Sequence, residues 1–125
     1  MFTVSSTDKT LDELLADERL LTLPETADRL GVVVTRVHDL LSDKKLLAYR
    51  RDGQRLIPAS FLGEKDTVNK FVPGVITLLS DGGYSDEEIL HYLFTEDASL
   101  PGRPVDALHG HLAREVLRRA QAMAL

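Results

Sequence analysis

A mainly α-helical fold with one small β-hairpin is predicted by three features of this 125-residue sequence. Between residues 22 and 42, apolar side chains recur at helical spacing in two successive segments separated by Gly31. The pair Asp52-Gly53 then separates two short runs of strand character, which is typical of a tight hairpin. From Pro73 onward the helical spacing returns and continues through the rest of the sequence.

The first of the two central helices has recognisable signals at both ends. Thr22 is suited to cap the first backbone N–H groups, and Pro24 lies in the first turn, where proline is well tolerated. Gly31 ends the helix. The predicted apolar face consists of Leu23, Ala27 and Leu30.

The second helix follows after a short turn, so that Val37 is expected to pack back against Ala27. Its predicted apolar residues are Val34, Val37 and Leu41, with Leu40 beside them. The opposite face then points outward, as in a helix-turn-helix whose second helix presents side chains to DNA base edges. The residues predicted to lie on that face are Thr35, Arg36, His38 and Asp39.

A basic hairpin follows the second helix and completes the pattern of a winged helix-turn-helix. The two-residue turn at Asp52-Gly53 fixes the strand pairing. The predicted pairs are Arg51 with Gln54, Arg50 with Arg55, Tyr49 with Leu56 and Ala48 with Ile57. Two arginines directly opposite each other repel, which suggests that a phosphate lies between them. The alternative is that the arginines only keep an exposed hairpin tip soluble.

The run from Thr22 to Phe61, with its Leu56-Ile57-Pro58 end, is similar to the winged domains of the excisionase and MerR-like superfamily. Residues 73–108 resemble mycobacterial and corynebacterial proteins that append a C-terminal helical domain to this wing. The resemblance implies a DNA-binding protein of actinobacterial type. In that superfamily the position opening the recognition helix is often Ser or Pro, whereas this sequence has Val33.

Four further helical segments are predicted in the C-terminal half. Pro73 begins a helix that ends at Gly82-Gly83, and Ser85 with Glu88 forms a capping box that opens a helix over 86–94. Residues 105–125 supply a short helix and a long one. The predicted inward residues of the first two helices are Val75, Ile76, Leu78, Leu79, Ile89, Leu90, Leu93 and Phe94.

The long final helix carries an apolar stripe that is a candidate homodimer or protein-partner interface, although such stripes are also common in cores. Its candidate interface residues are Leu112, Val116, Leu117, Ala120 and Met123. Dimerisation would double the DNA contacts and match a two-fold operator. The run Leu100 to Leu108 also resembles the toxin-binding domains of antitoxins, which implies capture of a toxin or other protein as an alternative role.

The remaining segments complete the predicted organisation of the chain. Residues 1–10 form a flexible polar tail, and a helix is expected over 11–21 with its leucines on one face. We therefore divide the sequence into the tail, a winged helix-turn-helix domain at 11–62, a polar linker at 63–70 and a C-terminal helical domain at 71–125.

Net charge argues against DNA binding until its distribution is considered. The formal charge of the chain is -5, whereas nucleic-acid binders are usually basic. Residues 29–70 nevertheless contain nine basic and five acidic residues, while residues 71–125 contain four basic and eight acidic ones. Because surface charges are screened beyond about 8 to 10 Å at physiological salt, the local basic segment governs phosphate contact.

Catalytic and metal-binding patterns are absent from the sequence. It has no cysteine, no phosphate-binding glycine loop, and four histidines without the spacing of a metal site. Because these patterns are missing, we expect a protein that is not an enzyme and uses no cofactor. No apolar run is long enough to span a membrane, so we also expect the protein to be cytoplasmic.

The sequence therefore predicts a transcriptional regulator that binds double-stranded DNA. Arg36 is the expected base reader because a guanidinium can bond a guanine edge with two hydrogen bonds, and Thr35, His38 and Asp39 would tune it. The residues expected to bind phosphates or the minor groove are Lys44, Lys45, Arg50, Arg51 and Arg55.

Overall fold

The computed structural model describes residues 9–64 and 66–125, so most of the predicted polar tail lies outside the described residues. The N-terminal half contains three helices, three short strands and one 3₁₀ turn. In chain order these are α1 (Leu11–Leu14), β1 (Leu20–Thr22), α2 (Leu23–Leu30), α3 (Val34–Ser42), β2 (Tyr49–Arg51), β3 (Gln54–Pro58) and the 3₁₀ turn (Ala59–Phe61).

The strands form an antiparallel sheet in the order β1-β3-β2, which corrects the predicted helix over 11–21. That helix ends at Leu14, and Leu21 instead pairs with Ile57 of β3. Both side chains are buried, and the ladder satisfies backbone groups that a helix would have bonded internally. The sheet therefore attaches the hairpin to the chain segment that leads directly into α2.

The C-terminal half is helical, as predicted. It contains α4 (Val72–Asp81), α5 (Asp86–Phe94), α6 (Pro104–Ala107) and α7 (Ala113–Met123). The predicted capping box is present: the Ser85 hydroxyl accepts from the Glu88 N–H at 3.1 Å, and the Glu88 carboxylate accepts from the Ser85 N–H at 2.8 Å. The predicted inward residues of α4 and α5 are buried except for Leu78, which is partly exposed.

A continuous cluster of buried side chains joins the two halves of the chain. The rings of Phe61 and Phe94, one from each half, lie 5.8 Å apart at their centroids. The connecting segment ends at the buried Asn69, whose side-chain amide donates to the Leu108 carbonyl at 3.1 Å and accepts from the Phe71 N–H at 2.8 Å. The C-terminal helices therefore pack on the winged half.

A polar contact around Glu18 and Arg103 also joins the halves. Arg103 donates to Glu18 at 3.3 Å, and the other Glu18 oxygen accepts from the Ser60 N–H at 3.0 Å. The Arg103 guanidinium also bonds both oxygens of Asp106, which holds the pKa of that carboxyl below its usual value. It lies 5.2 Å from the centre of the Phe94 ring.

The apolar stripe of α7, predicted as a candidate partner or dimer interface, packs largely against the chain itself. Val116 and Ala120 are fully buried in the shared core. The flanking Leu112, Leu117 and Met123 are partly buried and pack against the same cluster. The spacing of the stripe was read correctly, but an apolar face does not itself indicate which surface covers it.

Candidate nucleic-acid interface

The first helix of the winged half is fixed by hydrogen bonds at its N-terminus. The Thr22 hydroxyl accepts from the Glu25 N–H at 3.1 Å, and the Glu25 carboxylate accepts from the Thr22 N–H at 2.8 Å. The bond from the Thr22 backbone holds the pKa of Glu25 below its usual value. Gly31 closes the helix with a left-handed backbone at φ 68°, which glycine adopts without steric cost.

The second helix, α3, is held against α2 by its inner face. Val37 and Ala27 are both buried, as predicted, while the second buried residue of α3 is Leu40. Leu41, which the sequence favoured over Leu40, is only partly buried, and Val34 is exposed. The apolar face is therefore rotated slightly from its predicted position.

The outward face of α3 carries the four predicted residues. Thr35, Arg36, His38 and Asp39 are all exposed. Because the neighbouring Val37 and Leu40 are buried, this face cannot turn inward without disrupting the core. The helix thus presents one cation, one hydroxyl, one carboxylate and one imidazole on a fixed surface.

The wing has the predicted strand register. Arg51 pairs with Gln54, Arg50 with Arg55 and Tyr49 with Leu56, whereas the fourth predicted pair, Ala48 with Ile57, is not formed because β2 begins at Tyr49. Asp52 and Gly53 have φ values of 52° and 77°, as the two-residue turn requires. The Arg51 guanidinium lies 5.4 Å from the centre of the Tyr49 ring, a cation–π contact that orients it.

A hydrogen bond joins the wing to α3. Arg55 Nη2 lies 3.0 Å from His38 Nδ1, and because a guanidinium only donates, the imidazole nitrogen is the acceptor. Although Arg50 and Arg55 occupy opposite backbone positions, the Arg55 side chain reaches toward α3. The structure thus brings together two predicted site residues that lie on different elements.

The two predicted lysines differ in their surroundings. Lys44 Nζ lies 3.0 Å from Asp86 Oδ1, at the first residue of α5. Both side chains are more than two-fifths exposed, so the ion pair contributes less than about 1 kcal/mol of stability. Lys45 is exposed. The ion pair nevertheless places a carboxylate next to the ammonium group of Lys44, which lowers the local positive potential there.

An open recess of about 420 Å³ lies between the wing, the end of α3 and the start of α5. Arg50 and Arg55 line one part of it, and Asp86 and Glu87 line another. The basic surface therefore meets acidic groups on this flank, which sets an electrostatic border to any site for an anion.

Within residues 9–64 and 66–125, no group of three or more His, Asp or Glu side chains is arranged to hold a metal ion. Across the same ranges, no helix has the length and apolar character that crossing a membrane requires.

Comparison with known proteins agrees with this geometry. Residues 6–62 match the family model described as "DNA-binding protein Rv2175c, wHTH domain", and residues 69–124 match "Rv2175c C-terminal domain of unknown function". A curated relative, the DNA-binding protein Rv2175c of Mycobacterium tuberculosis, is 47% identical over a 125-position alignment. That alignment covers 90% of this chain and 86% of the relative. The chain belongs to the Rv2175c family.

The solved NMR structure of Rv2175c has the same fold as this family member. The TM-score is 0.80 at 47% identity, over 87% of this chain and 83% of the other. Since both halves align, the likeness includes the C-terminal helices as well as the wing.

Three features of the site were not anticipated from the sequence of this Rv2175c-family protein. They are the bond between Arg55 and His38, the ion pair between Lys44 and Asp86, and the exposure of Val32, Val33 and Val34. The first two contacts join residues far apart in sequence, so no local sequence pattern predicts them. The three consecutive valines were visible as an apolar run beside the predicted recognition helix.

Proposed function

We propose that this protein is a sequence-specific DNA-binding transcriptional regulator. The observation that carries the proposal is the exposed face of α3, with Arg36 at its centre, joined by His38 to an arginine-rich wing. A helix of this kind fits the major groove, and the wing can then contact the backbone. The printed name of the relative, a DNA-binding protein, supports the proposal.

Within this proposal the base-reading residue is Arg36. Its exposed guanidinium can donate two parallel hydrogen bonds to the O6 and N7 acceptors of a guanine edge. Thr35 and Asp39 lie beside it and would bond or repel the neighbouring bases. His38 acts mainly through Arg55, which it holds by the 3.0 Å hydrogen bond.

The wing and the following basic residues would position the protein on phosphates. Arg50, Arg51, Arg55 and Lys45 supply cations along this surface, whereas Lys44 contributes less because Asp86 lies against it. Phosphate contacts carry little sequence information and weaken with added salt. We therefore expect moderate affinity with a steep salt dependence, since the acidic remainder of the chain repels DNA.

The C-terminal half, which we assign to residues 71–125, would support the winged half and its linker at 63–70. The shared core and the contact between Arg103 and Glu18 favour this role. The alternative, capture of a toxin through the stripe from Leu112 to Met123, is not favoured because Val116 and Ala120 are inside the core.

Selection of bound sequences from a random DNA pool tests the proposal. The wild type should enrich a preferred site, and Arg36→Ala should lose about 1 to 3 kcal/mol on that site but much less on unrelated DNA. Arg114→Ala, which removes an exposed arginine from α7, is the matched control and should enrich the same site as the wild type. Equal enrichment by wild type and Arg36→Ala would show that Arg36 reads no base.

A further inference from the structure

Exposed apolar surface is concentrated at the entry to the recognition helix. Among residues 9–64 and 66–125, four large apolar side chains are exposed: Val32, Val33, Val34 and Leu125. The first three are consecutive, and Val33 is the most exposed of them at 71%. They lie in the turn before α3 and at its first residue, directly before Thr35 and Arg36.

Helix stability does not explain a valine at this position. Val33 is the N-cap residue of α3, and its side chain cannot accept the hydrogen bonds that free N–H groups offer there. The helices α1, α2 and α5 of the same chain begin with Thr10, Thr22 and Ser85 in complete capping boxes. A serine at position 33 would cap α3 and expose less apolar surface.

The charged residues near the three valines indicate what kind of ligand covers them. Arg36 is exposed two residues after the valines, and Arg55 of the wing reaches the same helix at His38, so a negatively charged polymer fits beside the apolar patch. The first residues of a recognition helix approach base edges most closely. The apolar group displayed on the major-groove edge of an unmodified base pair is the thymine 5-methyl group.

We propose that Val33, assisted by Val34, reads thymine by contact with its 5-methyl group. This inference rests on the proposed function and adds to it a residue that specifies A·T pairs beside the pair read by Arg36. Burial of one methyl group corresponds to about a fourfold change in affinity.

The first experiment needs only the wild-type full chain and its selected DNA site. Each thymine is replaced singly by deoxyuridine, which keeps the base pair but lacks the methyl group. Replacement at one or two positions next to the base pair read by Arg36 should lower the affinity about fourfold. Uniform tolerance of deoxyuridine, or a selected site without thymine at those positions, overturns the inference.

The second experiment assigns the methyl contact to Val33. Val33→Ser restores a helix cap, so its melting temperature should equal or exceed that of the wild type. It should bind the thymine and deoxyuridine sites with equal affinity, while Leu125→Ala, the matched exposed apolar control, should keep the fourfold preference. If Val33→Ser keeps that preference, Val33 is not the reader.

The outcomes separate this inference from the function on which it rests. Enrichment of a site that depends on Arg36 but is indifferent to deoxyuridine leaves the regulator proposal standing and removes the valine contact. The absence of any enriched site removes both. If Val33→Ser instead abolishes concentration-dependent self-association without changing the preference for thymine, the patch is a contact between copies of the chain and the inference fails.

Discussion

The helices α3 and α5 have the same length, nine residues each, but divide their side chains differently between core and surface. In α5 four residues are buried, while in α3 only Val37 and Leu40 are. The helix that presents the candidate binding face is thus held by a narrow inner stripe, whereas α5 has twice as many buried residues and belongs to the shared core. Substitutions on the outer face of α3 should therefore alter binding with little effect on stability, and substitutions in the C-terminal core should do the opposite.

The same contrast holds for charge. Residues 29–70 have a net charge of +4 and residues 71–125 of -4. The positive segment shares a buried core with the negative one, although the negative charge opposes attraction of DNA at long range. Stability and affinity therefore make opposing demands on the C-terminal half.

The largest effect is expected for Val116→Asp, which places a carboxylate in the shared core. We expect the free energy of unfolding to fall by about 3 to 5 kcal/mol, because the charge is buried without a partner. Thermal unfolding followed by circular dichroism should show one shifted transition for the whole chain. Gln121→Asp, at an exposed position of the same helix, is the control and should melt close to the wild type. A second, unshifted transition of the winged half would show that the two halves fold independently.

A smaller loss is expected for Arg103→Met, which removes the cation that bonds Glu18. The Glu18 side chain is only 6% exposed, so its carboxylate would keep the Ser60 bond but lose its countercharge. We expect a loss of about 2 kcal/mol, less than for a fully buried pair because Arg103 is partly exposed. Chemical denaturation measures it, with Arg118→Met, from an exposed ion pair, as the control. Equal stability of the two variants would show that the contact does not join the halves energetically.

The smallest effect on stability, with a selective effect on binding, is expected for Arg50→Ala combined with Arg55→Ala. Affinity for unrelated DNA sequences should fall about equally, and the salt slope should flatten by about one unit for each lost phosphate contact. Fluorescence anisotropy over a range of salt concentrations measures both. The control, Arg118→Ala combined with Arg119→Ala, removes the same charge from α7. If both double variants lower the slope equally, the effect comes from net charge and the wing makes no specific contact.

Local sequence signals predicted the elements that depend on local bonds. The helix at 86–94 begins at the predicted residue because Ser85 and Glu88 lie within one turn of each other and form the capping box. The wing register followed from the two-residue turn at Asp52-Gly53, which leaves no alternative pairing. In both cases the bonds that decide the structure join residues close in sequence.

The predictions that were wrong depended on contacts distant in sequence. The leucines between residues 11 and 21 have helical spacing, but Leu21 pairs with Ile57 of β3 and belongs to the sheet. In α3 the spacing of apolar residues allows either Leu40 or Leu41 on the inner face, and in the structure Leu40 is the one buried in the core. The four outward residues of α3 were predicted because they depend only on the placement of Val37.

The position of β2 at one edge of the sheet gives the wing arginines a role in the solution behaviour of the protein. An edge strand offers unpaired backbone groups to a strand of another molecule, which is a common start of aggregation. β2 has only three residues, and two of them are Arg50 and Arg51. Repulsion between copies of these guanidinium groups disfavours such pairing, so the side chains that we assign to phosphate contact also protect the exposed edge of the sheet.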